Sequence, residues 1–176
     1  MTIAVYVVCI LALAFIVLNL VGLAMSRSWR VARTIKSAAD PADVYPLIAS
    51  FEQGWSRWSP WGPASDPKMK VTYEGPPSGL GATQAWTGGE TGRGRITIVD
   101  ADDRGRIGYQ LAFGTFSIAG EIELRDGDIV WTNTGTLGGP PMFRIGGMFA
   151  ERVVGKAMER GLADLVRETS AVPARQ

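Results

Sequence analysis

Residues 116–136 read FSIAGEIELRDGDIVWTNTGT. Ile118, Gly120, Ile122 and Leu124 fall on alternate positions, the period of a strand with one buried face. Asp126-Gly127 is a hairpin signal, because this pair tolerates the positive φ angles of the favoured two-residue turn. Ile129 to Thr136 then reads as the return strand. The segment predicts an antiparallel pair with one apolar face that must be covered.

Working outward, the upstream chain repeats the pattern. Lys70–Glu74, Ala82–Thr87, Gly94–Ala101 and Arg106–Phe113 read as four more strands, the first ended by Gly75-Pro76-Pro77. Trp29–Ser37 alternates loosely and makes seven. After it, Asp40-Pro41 is an N-cap followed by proline at the first helical position. A short helix to Ser50 is expected, limited by Pro46, and a second over Phe51–Trp58. Pro60, Pro63 and Pro67 make the next stretch a loop. Downstream, Gly138-Gly139-Pro140-Pro141 breaks the strand pattern, and Ile145–Thr169 reads as one long helix. Val154, Met158, Gly161, Leu162 and Leu165 form its apolar stripe. Grouped strands followed by a helix argue an α+β fold, a seven-stranded antiparallel sheet covered by the C-terminal helix.

The N-terminus is of a different kind. Ile3–Met25 is a run of 23 residues with one strongly polar member, Asn19, and no Asp, Glu, Lys or Arg precedes Arg27. As a helix it would extend roughly 34 Å, enough for a ~30 Å hydrocarbon core. A cleaved signal peptide is the competing reading, but only Met1 and Thr2 precede the apolar run, where such a peptide carries a basic segment. The expectation is a retained single-pass anchor over residues 1–26 and a domain over 27–176. Arg27, Arg30, Arg33 and Lys36 follow the apolar run with no charged side chain before it. The positive-inside bias then predicts a cell-membrane protein with a cytoplasmic domain.

Composition narrows the chemistry. The net charge is +1, which gives no electrostatic argument for nucleic acid. The chain has no histidine and a single cysteine, Cys9. Ser–His–Asp and Cys–His systems, imidazole metal sites, thiolate clusters and intrachain disulfides are therefore excluded. No metal and no cofactor is expected. Gly88-Gly89-Glu90-Thr91-Gly92-Arg93-Gly94 lacks the GK[ST] and following helix of a phosphate-binding loop and reads as a hairpin connection.

Several segments carry a resemblance. They are Trp55-Ser56-Arg57-Trp58-Ser59-Pro60-Trp61, Asp66-Pro67, Tyr73-Glu74-Gly75 and the stretch from Gly81 to Gly94. Trp131 and Glu159-Arg160-Gly161-Leu162-Ala163-Asp164-Leu165 complete them. With the element order, they resemble the helix-grip fold of the START-like or SRPBCC superfamily, and within it the polyketide cyclase/dehydrase-like group, over roughly residues 29–169. The resemblance implies an apolar cavity between a curved sheet and the long helix. Many members bind lipids, polyketides or other hydrophobic molecules there, and some are enzymes.

The candidate ligand-binding residues are Trp58, Trp61, Trp86, Tyr109, Trp131, Met158, Gly161 and Leu165. Three tryptophans within seven residues, at 55, 58 and 61, read either as a cavity mouth gripping an apolar ligand or as a structural plug. Gly161 sits mid-helix at a cost of about 1 kcal/mol relative to alanine, which argues a close approach of sheet or ligand. For acid–base work Tyr109, Glu90, Asn133 and Arg95 are conceivable. Glu121 and Glu123 share the opposite, solvated strand face. Many glycines and few large aliphatics across the strands favour an open cavity. Three functions follow as expectations: membrane-anchored binding of a hydrophobic small molecule or lipid, a polyketide cyclase/dehydrase-like enzyme, or an interaction module whose core is filled.

Overall fold

A computed structural model describes residues 2–62, 66–89, 92–114 and 116–170. The element order is α1 (Thr2–Leu23), β1 (Ser28–Lys36), α2 (Pro41–Ala49), a π-helical turn (Phe51–Trp55) and α3 (Ser56–Trp58). Six strands follow: β2 (Lys70–Glu74), β3 (Thr83–Thr87), β4 (Arg93–Asp102), β5 (Arg106–Phe113), β6 (Phe116–Arg125) and β7 (Asp128–Leu137). A 3-10 helix (Pro141–Phe149) leads into α4 (Ala150–Ser170).

The seven strands form one sheet in the order β1-β7-β6-β5-β4-β3-β2, every pair antiparallel. The β2–β7 meander brings its last strand against β1, and α2, the π turn and α3 carry the chain from one sheet edge to the other. The β6–β7 hairpin turns at Asp126 (φ 51°) and Gly127 (φ 83°), the positive pair the sequence calls for. A bulge between Ile98 and Asp100 interrupts the β4–β5 register, where such an extra residue bends the strand.

The expected long helix begins later than the sequence suggests. Pro141–Phe149 is a 3-10 helix, and regular α geometry starts at Ala150 rather than Ile145. Gly146-Gly147 explains the difference, since two adjacent glycines weaken an α-helical turn by about 1 kcal/mol each. The α1 segment Ile3–Leu23 is long and apolar enough to cross a membrane, and it is not buried against the domain along its length.

Two local devices hold the helical layer in place. The last carbonyls of α2 have no partners within that helix. Trp58 Nε1 donates to Leu47 O at 2.9 Å, Trp55 Nε1 to Ile48 O at 2.6 Å, and Gly79 N to Ala49 O at 2.8 Å. At the sheet edge, Arg33 of β1 bonds Glu151 at 2.9 Å and Glu159 at 2.6 Å. Gly155 lies between these glutamates on α4, and a Cβ there would overlap the Arg33 guanidinium. Arg33 therefore pins α4 over β1, and Lys36 stands at the far end of that strand, so Arg27 and Arg30 are the basic residues nearest α1.

Candidate ligand-binding site

The concave face of the sheet carries Val31, Ile129, Trp131, Asn133, Gly120, Ile122, Ile107, Tyr109, Ile96 and Ile98, all buried. These residues alternate with the outward positions fixed by the register. The middle of this face is filled by aromatic rings. Trp55 lies 5.0 Å from Trp58 and 5.2 Å from Tyr109, and Trp131 lies 5.3 Å from Trp58 and 5.4 Å from Trp61, centroid to centroid. Most of these pairs are edge-to-face, the arrangement that the ring quadrupoles favour.

The glycines have a role that spacing alone did not reveal. A Cβ on Gly120 would overlap the ring of Tyr109, one on Gly135 the ring of Trp29, and one on Gly94 the ring of Trp86. On α4, a Cβ at Gly161 would stand 2.8 Å from Pro60 Cδ and 2.9 Å from Trp131 Cζ3. The space that these glycines open is occupied by the chain's own rings. The close approach expected at Gly161 comes from sheet and loop together.

The polar groups at the centre satisfy one another. Trp131 Nε1 donates to Tyr109 Oη at 2.8 Å, Tyr109 Oη donates to Asn133 Oδ1 at 2.6 Å, and Asn133 Nδ2 approaches Met158 Sδ at 3.4 Å. Burial pushes the Tyr109 phenol well above its ordinary range, against the smaller opposing effects of Trp131 and Asn133. It stays protonated, with its proton already donated to Asn133. Tyr109 and Asn133 are thus brought together but are engaged with each other. Arg95 is on the outward face, bonded to Glu74 at 2.9 Å. Glu121 and Glu123 face outward as expected, and so do Glu74, Asp100, Asp102 and Asp128. Among the described residues, no strand carboxylate stands on the concave face. Glu90 lies outside the described residues.

Of the eight candidate residues, Trp58, Tyr109, Trp131, Met158, Gly161 and Leu165 form this buried floor. Trp61 and Trp86 lie at its margin. Trp61 is 39% exposed while still against Trp131. Trp86 leans over Gly94 and is buried, yet its Nε1 has no hydrogen-bond partner. The grip is tight at one end and loose at the other. Along β5, burial falls from Ile107 and Tyr109 to half-buried Leu111. Along β6 it falls from Ile122 and Gly120 to half-buried Ile118, and Phe116 is 40% exposed. Leu111 and Ile118 face each other across the strands, and each carries no polar atom on its side chain. Neither is among the eight candidate residues, because the alternation that names them is the same for every core position.

The chain was compared with known proteins. A family model described as polyketide cyclase/dehydrase and lipid transport matches residues 28–169. A search of curated protein sequences found no match. Among solved structures, one from Thermobifida fusca is 21% identical, with a TM-score of 0.57, covering 86% of this chain and 98% of its own. The di-domain ARO/CYC StfQ from the steffimycin biosynthetic pathway is 14% identical, with a TM-score of 0.59, over 81% of this chain and 51% of its own. A Thalictrum norcoclaurine synthase is 16% identical, with a TM-score of 0.54, over 82% and 97%. At these identities the structures speak for the helix-grip fold alone, while the family model covers most of the sequence. The chain belongs to the polyketide cyclase/dehydrase and lipid transport family.

Proposed function

We propose that the protein is a membrane-anchored binder of a hydrophobic small molecule or lipid, taken up at the loose end of the grip. The ligand lies between Trp61, Trp86, Leu111, Ile118 and Val154, over the floor made by Trp58, Tyr109, Trp131, Met158, Gly161 and Leu165. The observation that carries this reading is Trp86 Nε1, a buried donor without a partner. An orphaned donor of this kind costs about 1–3 kcal/mol, and a ligand acceptor would recover it. The fitting ligand is a mostly apolar molecule with one carbonyl, ester or ether oxygen.

Native mass spectrometry of the detergent-purified chain tests the reading by detecting a retained apolar ligand. Trp86→Phe should weaken binding of an acceptor-bearing probe by about tenfold, roughly 1.4 kcal/mol, and leave a pure hydrocarbon probe unaffected. Equal effects on both probes would remove Trp86 from the site. Anchoring rests on the helix Ile3–Leu23, and a cytoplasmic domain on Arg27 and Arg30. Carbonate washing tests the first and protease treatment of spheroplasts the second. A cleaved, soluble product or a digested domain, respectively, would reverse them.

The rings seated over Gly94, Gly120 and Gly135 favour a second reading, an interaction module with a filled core. Absence of any retained ligand and of apolar dye binding would select it. An activity of the kind named for StfQ has less support, because the central Tyr109 and Asn133 are spent on each other.

A further inference from the structure

The anchor and the loose end of the grip lie on the same side of the domain. Leu137 N donates to Arg27 O at 2.8 Å, so the end of β7 sits where the chain leaves α1. Leu137 pairs with Phe116, the exposed end of β6. A Cβ on Gly147 of the 3-10 helix would stand 3.0 Å from Leu137 Cδ1. The 3-10 helix in turn packs on α1, since a Cβ on Gly22 would overlap the carbonyl of Pro141. The last turn of α1 contains no basic residue. Arg144, buried, supplies one from the 3-10 helix, its Nη1 reaching Gly22 O at 3.3 Å and Leu23 O and Met25 O at 3.5 Å. A cation belongs at this negative end of the helix dipole.

The segment fixed there is apolar and exposed. Phe143 is 54%, Met148 66%, Phe149 57% and Val153 67% exposed. Phe143 and Phe149 are two 3-10 turns apart, and Val153 lies one α turn past Phe149, so they share an edge. The same end of the domain carries an excess of basic residues. Exposed Arg27, Lys68, Lys70, Arg93 and Arg152 lie at the α1 end of the domain, where the acids among the described residues are Asp66 and Glu151. The turns at the opposite end are balanced, with Asp102, Asp103, Asp126 and Asp128 standing against Lys36, Arg104, Arg106 and Arg125.

We infer that Pro141–Val153 seats at headgroup level on an anionic bilayer, holding the loose end of the grip against the leaflet. An apolar ligand then passes between lipid and grip without crossing water. The inference rests on the proposed anchoring and ligand binding. The occupant is the bilayer because the patch is tied to the end of a membrane-length helix and has the exposed Arg27 and Arg152 beside it. A helix end and its capping arginine belong at the membrane–water boundary, where aromatic and basic side chains are favoured.

The test uses the full chain in vesicles of zwitterionic lipid with and without phosphatidylglycerol. In a Cys9→Ser background, Met148→Cys and Asp126→Cys are each labelled with an environment-sensitive fluorophore. Headgroup-level spin-labelled lipid should quench the Met148 site strongly and the Asp126 site little, with more contrast in anionic vesicles. Replacing Phe143, Met148, Phe149 and Val153 by serine should slow transfer of an apolar dye from vesicles at least tenfold, with dye binding in detergent unchanged. Retention through carbonate with equal quenching at both sites would overturn this inference and leave the anchor standing. Release by carbonate would overturn both. Disulfide-linked dimers through Met148→Cys, with no quenching, would assign the patch to a second copy and overturn the inference. Failure of dye binding in detergent would count against the ligand reading alone if the Met148 site is still quenched.

Discussion

Gly161 offers the sharpest test of the filled floor. Placing alanine at this mid-helix position removes the glycine penalty, a gain of about 1 kcal/mol. Its Cβ, however, would stand 2.8 Å from Pro60 Cδ and 2.9 Å from Trp131 Cζ3. Neither neighbour yields easily. Pro60 is a ring in the loop after α3, and Trp131 is fully buried among three other aromatic residues. Overpacking of this kind costs about 1–3 kcal/mol, so the net change for Gly161→Ala is a loss of about 0–2 kcal/mol. In a chain of this size 1 kcal/mol corresponds to roughly 2–4 °C in Tm. Gly161→Leu adds three further carbons to the same space and should lose several kcal/mol. The exposed Ala163→Gly, two residues along, is the control and should cost about 1 kcal/mol through propensity alone. Thermal and urea unfolding of the detergent-solubilised chain, followed by tryptophan fluorescence, measure all three. A rise in Tm for Gly161→Ala equal to the full propensity gain would show that Pro60 and Trp131 do not press on this helix.

Tyr109→Phe leaves Trp131 Nε1 without its acceptor and Asn133 Oδ1 without its donor. At about 1–3 kcal/mol per orphaned group, it should lower stability by roughly 2–6 kcal/mol in the same unfolding assay. The raised pKa of Tyr109 gives the pH dependence its sign. The unfolded phenol ionises near pH 10 while the folded one does not, so its stabilisation is complete below about pH 10 and is lost above it, at up to ~1.4 kcal/mol per pH unit. Urea midpoints between pH 9 and 11 should fall in the parent chain and fall less steeply in Tyr109→Phe. Arg33→Met removes the two ion pairs that hold α4 over β1. Because Glu151 and Glu159 are both largely exposed, the loss should be only about 1 kcal/mol. Added salt should weaken the parent more than this variant.

The fold was legible because its signals are local. Alternation fixed Arg106–Phe113 and Phe116–Arg125 to the residue, and Asp40-Pro41 placed the start of α2, where Asp40 accepts from Ala42 N at 2.9 Å. The 3-10 segment was misread as the first turns of the long helix because Phe149, Val153 and Ala157 continue the apolar spacing. Periodicity does not distinguish 3.0 from 3.6 residues per turn over so short a length. Arg144 was illegible for a different reason. Its partners lie 119–122 residues away in the chain, and only the folded geometry brings a cation to the carbonyls ending α1.

The glycines are the instructive case. Few large aliphatics and many glycines across strands suggested empty space, yet volume on a concave face is shared between neighbours. A glycine and an aromatic directly paired, as Gly120 with Tyr109 and Gly94 with Trp86, together fill about what two medium aliphatics would. The ring lies across the bare backbone and takes the space a side chain there would fill. The sign of an open site is then a strand position where an apolar side chain has neither a ring above it nor full burial. Leu111 and Ile118 fall short of full burial, whereas Tyr109 and Trp131 do not. The orphaned Trp86 Nε1 adds a polar group with nothing in the chain to bind. In this grip the ligand should therefore be sought beside the aromatic cluster, at the end nearest α1, and not within it.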